Sequence, residues 1–443
     1  MTEHNVSDQP RIHLLSGILA GGTAKGATHL QHGLPKAGVN SSLRYPAGLK
    51  VGSEIRQLQQ DGCQPLTWNI GGMDKRKRKI SHRINRQIFK KKIRGRDPEQ
   101  EIFTSHRGAP HTPWPPANVE PQPNDIIHLH WVAKFIDYTS FFQSLPKHQS
   151  VIWTLHDMYP FTGGCHFTEG CEQFIQHCGN CPQLPNRGPD AISRHAFSTK
   201  MQALRDMNLH VVKVSHWMTE QSRKSPIFGQ AQAFHHILHG LSMDVFKPVN
   251  KQEAREQLGI DKDAFVFFFG AADIRNRRKG LAPLLKSLEV IADLPNTVGL
   301  MFGGGVVAKV EHALPELPMM GFIRDVQQMV LIHSACDVFV MPSLEDNLPF
   351  TCLEALATGI PVVGFDAGGV PDMVRPGVTG WIAPAGDSLA MGNQLKYMAD
   401  HRDEAAGLGQ KAREVAVQEY SQEREVADYR KLYEHVLQQP AKR

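Results

Sequence analysis

Short apolar runs alternate with stretches of helical period along most of this chain, the pattern of βαβ units that build a parallel sheet. A first series predicts strands at 12–15, 126–129, 151–155 and 210–214, with a Pro-rich loop, HTPWPPANVEPQPND, at 111–125. A second predicts strands at 265–269, 298–302, 337–341 and 361–364. Between them, Lys247-Pro248 and the charged run KQEAREQLGIDKD suit a hinge and a surface helix, which divides the chain into domains at 1–238 and 239–419. From about Tyr420 to the last residue, 443, the pattern is one amphipathic helix with Tyr429, Leu432, Tyr433 and Val436 on a face, expected to pack back on the first domain. The fold class is therefore α/β, two Rossmann-like domains facing across a cleft, with ligand groups expected at the strand C-termini.

Composition supports that size of core. With 443 residues, 41% hydrophobic and 21% charged, the chain is neither a small disulfide scaffold nor a disordered tract. The longest nearly apolar stretch, 264–272, is about half the ~20 residues a bilayer requires, and the polar start MTEHNVSDQPR has no apolar leader core. A cytoplasmic location is the expectation.

Charge changes the picture more. Residues 75–96 hold twelve Lys or Arg and no acid, while the other 421 residues carry 37 basic and 44 acidic side chains. An acidic protein thus has one basic segment, in which Ile80, Ile84, Ile88 and Ile93 recur at nearly helical spacing. Two readings compete: a solvated helix docked by those isoleucines, or a polybasic face for an anionic membrane surface or an acidic acceptor. Nucleic acid is not expected, because only Phe89 interleaves with the charges as a stacking ring.

Four of the seven cysteines, Cys165, Cys171, Cys178 and Cys181, fall within 17 residues of one loop, GCHFTEGCEQFIQHCGNC at 164–181. In a reducing compartment such clustering suggests metal before disulfide, and the Cys178–Cys181 pair has the two-residue spacing of a zinc knuckle. Structural zinc, disulfides and free thiols all remain open; a catalytic metal is not expected. Cys63, Cys336 and Cys352 read as isolated buried thiols.

Candidate ligand groups follow the strands. Gly21-Gly22 follows the first strand and precedes a helical pattern over about 25–37, so backbone can approach a ligand at a helix N-terminus. The loop DIRNRRKG brings Arg275, Arg277, Arg278 and Lys279 to the start of another helix, a combination that suits a diphosphate. The segment MPSLEDNLPFTCLEALATGIPVVGFDAGGVPDMV at 341–374 predicts a helix capped by Asn347 with Pro349 in its first turn. Glu354 then lies on that helix and Glu345 and Asp346 lie before it, where paired carboxylates can hold sugar or ribose hydroxyls.

That last segment resembles the donor-site signature of GT-B retaining glycosyltransferases of the family 4 group: two acids separated by seven residues, then a helix and a Gly-Gly loop. Asp346 and Glu354 have that spacing, with Glu345 one residue out of register. The resemblance implies that Asp346 hydrogen-bonds the donor sugar and Glu354 grips the ribose, with the backbone of Asn347, Leu348, Pro349 and Phe350 facing sugar and diphosphate. Gly21-Gly22 is similar to the N-domain glycine loop, and DIIHLHW at 125–131 points to His130 beside the transferred sugar. TLHD at 154–157 adds His156. Lys279 matches the diphosphate-binding Lys; Gly270-Ala271 stands where the family has Gly-Arg, so Arg275 or Arg278 must substitute. Gly321-Phe322-Ile323 resembles the loop on the nucleotide base. The cysteine loop, ending in CPQL, resembles a sub-group active in bacterial surface polysaccharide assembly.

The implied function is retaining transfer of a sugar from a UDP- or GDP-sugar to a glycan or lipid-linked acceptor, with no catalytic metal because cations take its place. His130, Lys279, Asp346 and Glu354 are the expected catalytic set. A GT-B sugar-nucleotide epimerase and a non-catalytic nucleotide-sugar-binding scaffold are the alternatives.

Overall fold

A computed structural model describes residues 10–19, 21–47, 49, 63–67, 84, 87–91, 93–97, 99–100, 103–104, 111–305 and 320–439. The chain forms two compact units, one of residues 1–98, 102–237 and 425–443, the other of 238–424 with 99–101.

The first unit is built on β1 (Ile12–Leu15), β2 (Ser41–Pro46), β3 (Gln64–Leu66), β4 (Ile126–Leu129), β5 (Ser150–Leu155), β6 (Asn208–Lys213) and β7 (Ala233–His236). Among the described residues these make one parallel sheet in the order β3-β2-β1-β4-β5-β6-β7. The central strands are buried throughout, as a sheet covered on both faces requires, and so read as unbroken apolar runs. β2, β3 and β7 are partly exposed and lack such runs, which is why the periodicity did not predict them. Helices α1 (Gly22–Gly33), α2 (Tyr138–Ser144), α3 (Ile192–Ala203) and α4 (His216–Lys224) accompany the sheet. The expected helix over 25–37 instead starts at Gly22 and breaks after Gly33: Pro35 has no N–H to continue it, and 35–37 form a separate 3-10 turn.

The second unit has β8 (Phe265–Asp273), β9 (Thr297–Gly304), β10 (Val338–Met341), β11 (Val362–Asp366) and β12 (Gly380–Pro384), in the order β12-β11-β10-β8-β9 and all parallel. β12 also went unpredicted, being only half-buried. Its helices are α5 (Lys251–Leu258), α6 (Leu281–Leu288), α7 (Val326–Ala335), α8 (Phe350–Ala357), α9 (Val370–Met373), α10 (Ser388–Asp400) and α11 (Arg402–Glu419). Asn250 caps α5 by accepting from the N–H groups of Gln252 and Glu253.

The last helix, α12 (Gln422–Gln438), belongs mainly to the first unit. Val426, Tyr429, Leu432, Tyr433 and Val436 are buried in one cluster with Ile12, Leu14, Ile126, Ile152 and Val212. Polar atoms within that cluster are paired: Tyr433 Oη and Thr154 Oγ1 each lie 2.8 Å from a nitrogen of His128, and Tyr429 Oη lies 2.7 Å from Thr154 Oγ1. Burial, aided by the His156 charge, lowers the His128 pKa to about 3, so the ring is neutral and its one donor and one acceptor are both engaged.

Much of the basic segment (75–83, 85–86, 92) lies outside the described residues. Within the described part, Phe89 and Ile93 pack on a cluster containing Phe103, Cys165 and Cys181. Ile84 and Ile88 do not bury their side chains; they are 52% and 37% exposed.

Candidate active site

In each sheet the strand order reverses direction at one point, between β1 and β4 in the first unit and between β8 and β10 in the second. The loops leaving those strands at their carboxyl ends diverge to opposite sides and leave a crevice, where α/β sheets bind ligands. Gly21, His130, Arg275, Arg278, Lys279 and residues 345–349 fall on or beside those loops, while His156 follows β5, Phe322 and Ile323 follow β9, and Glu354 lies on a helix.

In the second unit, β8 leads into a 3-10 turn, Arg277–Lys279, closed by Gly280 in the left-handed conformation (φ 75°). A Cβ at Gly280 would collide with the Pro342 carbonyl, so the absence of a side chain brings the cationic turn against the end of β10. Lys279 Nζ then lies 2.6 Å and Arg278 Nη1 3.2 Å from Asp346 Oδ2. Arg278 Nη1 also donates to the Glu345 carbonyl at 2.9 Å, and the Leu344 N–H returns a bond to the Arg278 carbonyl at 2.8 Å. Ser343 Oγ lies 3.3 Å from the same carboxylate oxygen, while the other oxygen accepts the Asn347 N–H at 3.1 Å. Burial alone would raise the Asp346 pKa; Lys279, then Arg278, outweigh it and hold the group below the usual carboxylate value.

This arrangement corrects the predicted cap. α8 begins at Phe350 with Pro349 at its cap position, so Asn347 lies before the cap rather than at it. The backbone of 346–347 is committed instead to holding Asp346 against the cations. Glu354, on α8, is 1% exposed, and Gly368 sits so close to the Asp346 carbonyl that any Cβ would clash. The Gly369 N–H donates to that carbonyl at 2.9 Å. Thus the first acid, the second acid's helix and the Gly-Gly loop converge.

The two candidate arginines separate. Arg278 is 9% exposed and faces Asp346. Arg275 is on the surface, chelated by Asp273 at 2.9 and 3.0 Å. Beyond β9, the Gly303 N–H donates to the Gly321 carbonyl, and the next residue, Phe322, is 56% exposed. Ile323 follows it, half-buried. Leu348 and Phe350 are buried, and the Phe350 ring stacks on His239 at 5.0 Å. His239 was missed as a neighbour of the candidate residues; burial, with Arg424 nearby, lowers its pKa to about 3. Ser343 was missed too, since a lone serine beside two acids carries no signal of its own.

In the first unit, Gly21 has φ 90° and opens α1 directly after β1. His130 follows β4, the strand paired with β1, and is 2% exposed. Its Nδ1 lies 3.0 Å from Nε2 of His156, which follows β5. Asp157, the next residue, accepts from Trp131 Nε1 at 3.0 Å and pairs with His166 Nδ1 at 2.7 Å, tying the cysteine loop to the strand end.

Residues 250–415 match the family model of the glycosyl transferases group 1. That match falls within the second unit. Over 249 residues the chain is 28% identical to the putative colanic acid biosynthesis glycosyl transferase WcaC of Escherichia coli, covering 54% of this chain and 58% of that protein. Over 216 residues it is 25% identical to the putative glycosyltransferase EpsD of Bacillus subtilis, covering 46% and 55%. The chain thus spans just over half the length of these curated relatives. Among solved structures, sucrose-phosphate synthase of Thermosynechococcus elongatus aligns over 97% of this chain and 99% of its own, with TM-score 0.62 and 19% identity. Anabaena HepE in complex with UDP and glucose aligns over 96% and 99%, with TM-score 0.61 and 16% identity. The fold is GT-B. Inside the matched segment lie Glu354 and the paired Lys279 and Asp346, which follow β8 and β10.

Proposed function

We propose that this protein transfers a sugar, with retention of anomeric configuration, from a nucleotide-sugar donor to a glycan or lipid-linked acceptor. The observation that carries the reading is the cluster of half-buried Lys279 with buried Asp346 and Arg278 at a sheet switch point, with Glu354 buried on the helix that follows. Two cations locked on one carboxylate are held charged and aimed before any ligand arrives, which is what stabilising a departing diphosphate requires. As the bond between the anomeric carbon and the β-phosphate oxygen breaks, Lys279 and Arg278 take up the growing negative charge. The acceptor oxygen bonds to the same carbon, and its proton passes to the departing phosphate. Asp346, or its neighbour Glu345, and Glu354 hold sugar and ribose hydroxyls, Phe322 and Ile323 lie against the base, and Asn347 to Phe350 line the sugar. Gly21, Gly22, His130 and His156 form the acceptor side. The names of WcaC and EpsD support a glycosyltransferase, and colanic acid biosynthesis supports a polysaccharide acceptor; the UDP and glucose in HepE support a nucleotide-sugar donor. Work at the cytoplasmic leaflet, where lipid-linked acceptors lie, fits the basic segment.

The test is a thermal-shift screen of UDP, GDP and ADP, followed by assay of the matching sugar donors. A nucleotide at 100 times its Kd adds about 2.7 kcal/mol of stability. Lys279→Ala and Glu354→Ala are expected to fold, lose that shift and lose transfer by ~100-fold or more. Wild-type turnover in either variant at saturating donor overturns the site. A donor isomerised with no acceptor present overturns transfer in favour of an epimerase, and product of inverted configuration overturns retention.

A further inference from the structure

Between the 3-10 turn Tyr159–Phe161 and α3, thirty residues run with only one short 3-10 turn, Gln173–Ile175, as regular structure. A segment of that length inside a compact unit needs something other than backbone ladders to hold it. Its fixed points are sulfurs. Cys165, Cys178 and Cys181 are 8%, 7% and 6% exposed, Cys171 is half-buried, and all four line one cavity of about 10 Å³ together with Phe103, Phe174 and Pro182. The cysteines that the sequence spaces at five, six and two residues thus line one cavity.

The surroundings have the character of a second shell around thiolates. The backbone of Gly163 faces Cys178 and that of Gln183 faces Cys181; Gln183 is two residues past the second cysteine of the Cys178-Gly-Asn-Cys181 turn. Cations surround the group: the fully buried Lys200 faces Cys165 and Cys178, and Arg96 and Arg187 face Cys181. Lys200 donates to the Tyr159 and Thr162 carbonyls and lies over the Tyr159 ring, and among the described residues no carboxylate is within ion-pair distance of it. Four thiolates on one divalent ion carry net charge −2, complementary to these basic side chains.

We infer that Cys165, Cys171, Cys178 and Cys181 bind one structural zinc ion, which anchors the 162–191 loop to the first unit. Binding forms four Zn–S bonds and releases the four thiol protons to solvent. No three of the sulfurs lie within 4.8 Å of one another, so holding the ion would require them to move inward. The anchor reaches the candidate acceptor side through adjacent residues, because Cys165 precedes His166, which holds Asp157 next to His156. No transfer chemistry is involved, so the inference stands or falls apart from the proposed activity.

The experiment is metal analysis of the full chain purified under reducing conditions without chelator. Wild type is expected to carry about one zinc per chain. A thiol-reactive mercurial should release it in step with four sulfurs, and cobalt substitution should give thiolate-to-cobalt charge-transfer absorption. Cys171→Ser and Cys178→Ser should lose the zinc, while Cys352→Ser keeps it. If the serine variants fail to fold, the wild-type release and cobalt spectrum decide alone. Wild type that is metal-free, lacks the cobalt band and unfolds at the same temperature with and without added zinc overturns the site, as does full zinc content in both serine variants.

Discussion

At the residue scale, Asp346 and Glu345 differ in what their carboxylates already hold. Asp346 binds two cations, a serine hydroxyl and a backbone N–H, and is 6% exposed. Glu345 contributes its carbonyl to Arg278 and leaves its side chain half-exposed. Asp346→Asn therefore removes the carboxylate that half-buried Lys279 and buried Arg278 share, a loss of about 1–3 kcal/mol, and it also loosens the proposed diphosphate grip. We expect Asp346→Asn to lower the unfolding midpoint and reduce kcat by ~100-fold. Glu345→Gln should leave stability within about 0.5 kcal/mol of wild type and alter activity less. Chemical denaturation beside donor-saturation kinetics checks both. The reverse order of activity losses would place the first acid's work on Glu345.

At the element scale, α12 is fastened by the buried polar cluster of His128, Thr154, Tyr429 and Tyr433 as well as by its apolar face. Tyr433→Phe removes the partner of His128 Nδ1 while keeping the ring, and should cost about 1–3 kcal/mol at neutral pH, the penalty of an unsatisfied buried group. Acid adds a second, signed effect. The His128 pKa is about 3 in the fold against an ordinary 6.5, so on acidification the unfolded chain takes the proton first. Its contribution is complete above pH 6.5 and is lost as pH falls toward 3. Denaturant midpoints of wild type and Tyr433→Phe across that window check the cost and the slope; stability that rises on acidification through it would contradict the buried neutral ring.

For the whole molecule, the uneven charge is the feature with reach. Twelve cations in residues 75–96 sit in an otherwise acidic chain, and Ile84 and Ile88 among them expose apolar surface while Phe89 and Ile93 pack inward. Exposed apolar side chains amid basic ones suit an anionic bilayer surface. At about 1 kcal/mol per engaged basic residue, a few of them give reversible binding that falls steeply with salt. Cosedimentation with anionic vesicles should exceed that with neutral ones. Changing Lys75, Arg76, Lys77, Arg78 and Lys79 to Gln should reduce it at least several-fold. Equal pelleting with both lipids, or no loss in the variant, would make the segment a solvated helix. Among the described residues, no helix is long and apolar enough to cross a membrane.

The sequence by itself determined the elements whose physics is local or periodic. Strands buried on both faces, such as β8 with Phe265 to Phe269, are legible because burial demands unbroken apolar runs; α12 is legible because its buried face repeats at helical period. The acidic motif was legible as spacing, since Asp346 and Glu354 stand eight positions apart on one loop and one helix. Edge strands β2, β3, β7 and β12 were not, because half-exposed strands need no apolar run. Only tertiary structure chose between Arg275 and Arg278, which lie three residues apart in one basic loop. The choice depends on which side chain Gly280's close approach to Pro342 turns toward Asp346, a contact spanning more than sixty residues. The same holds for the four cysteines. Their spacing announced a ligand set, but that all four face one cavity, beside a buried lysine from α3, is a fact of packing between segments that no local pattern encodes.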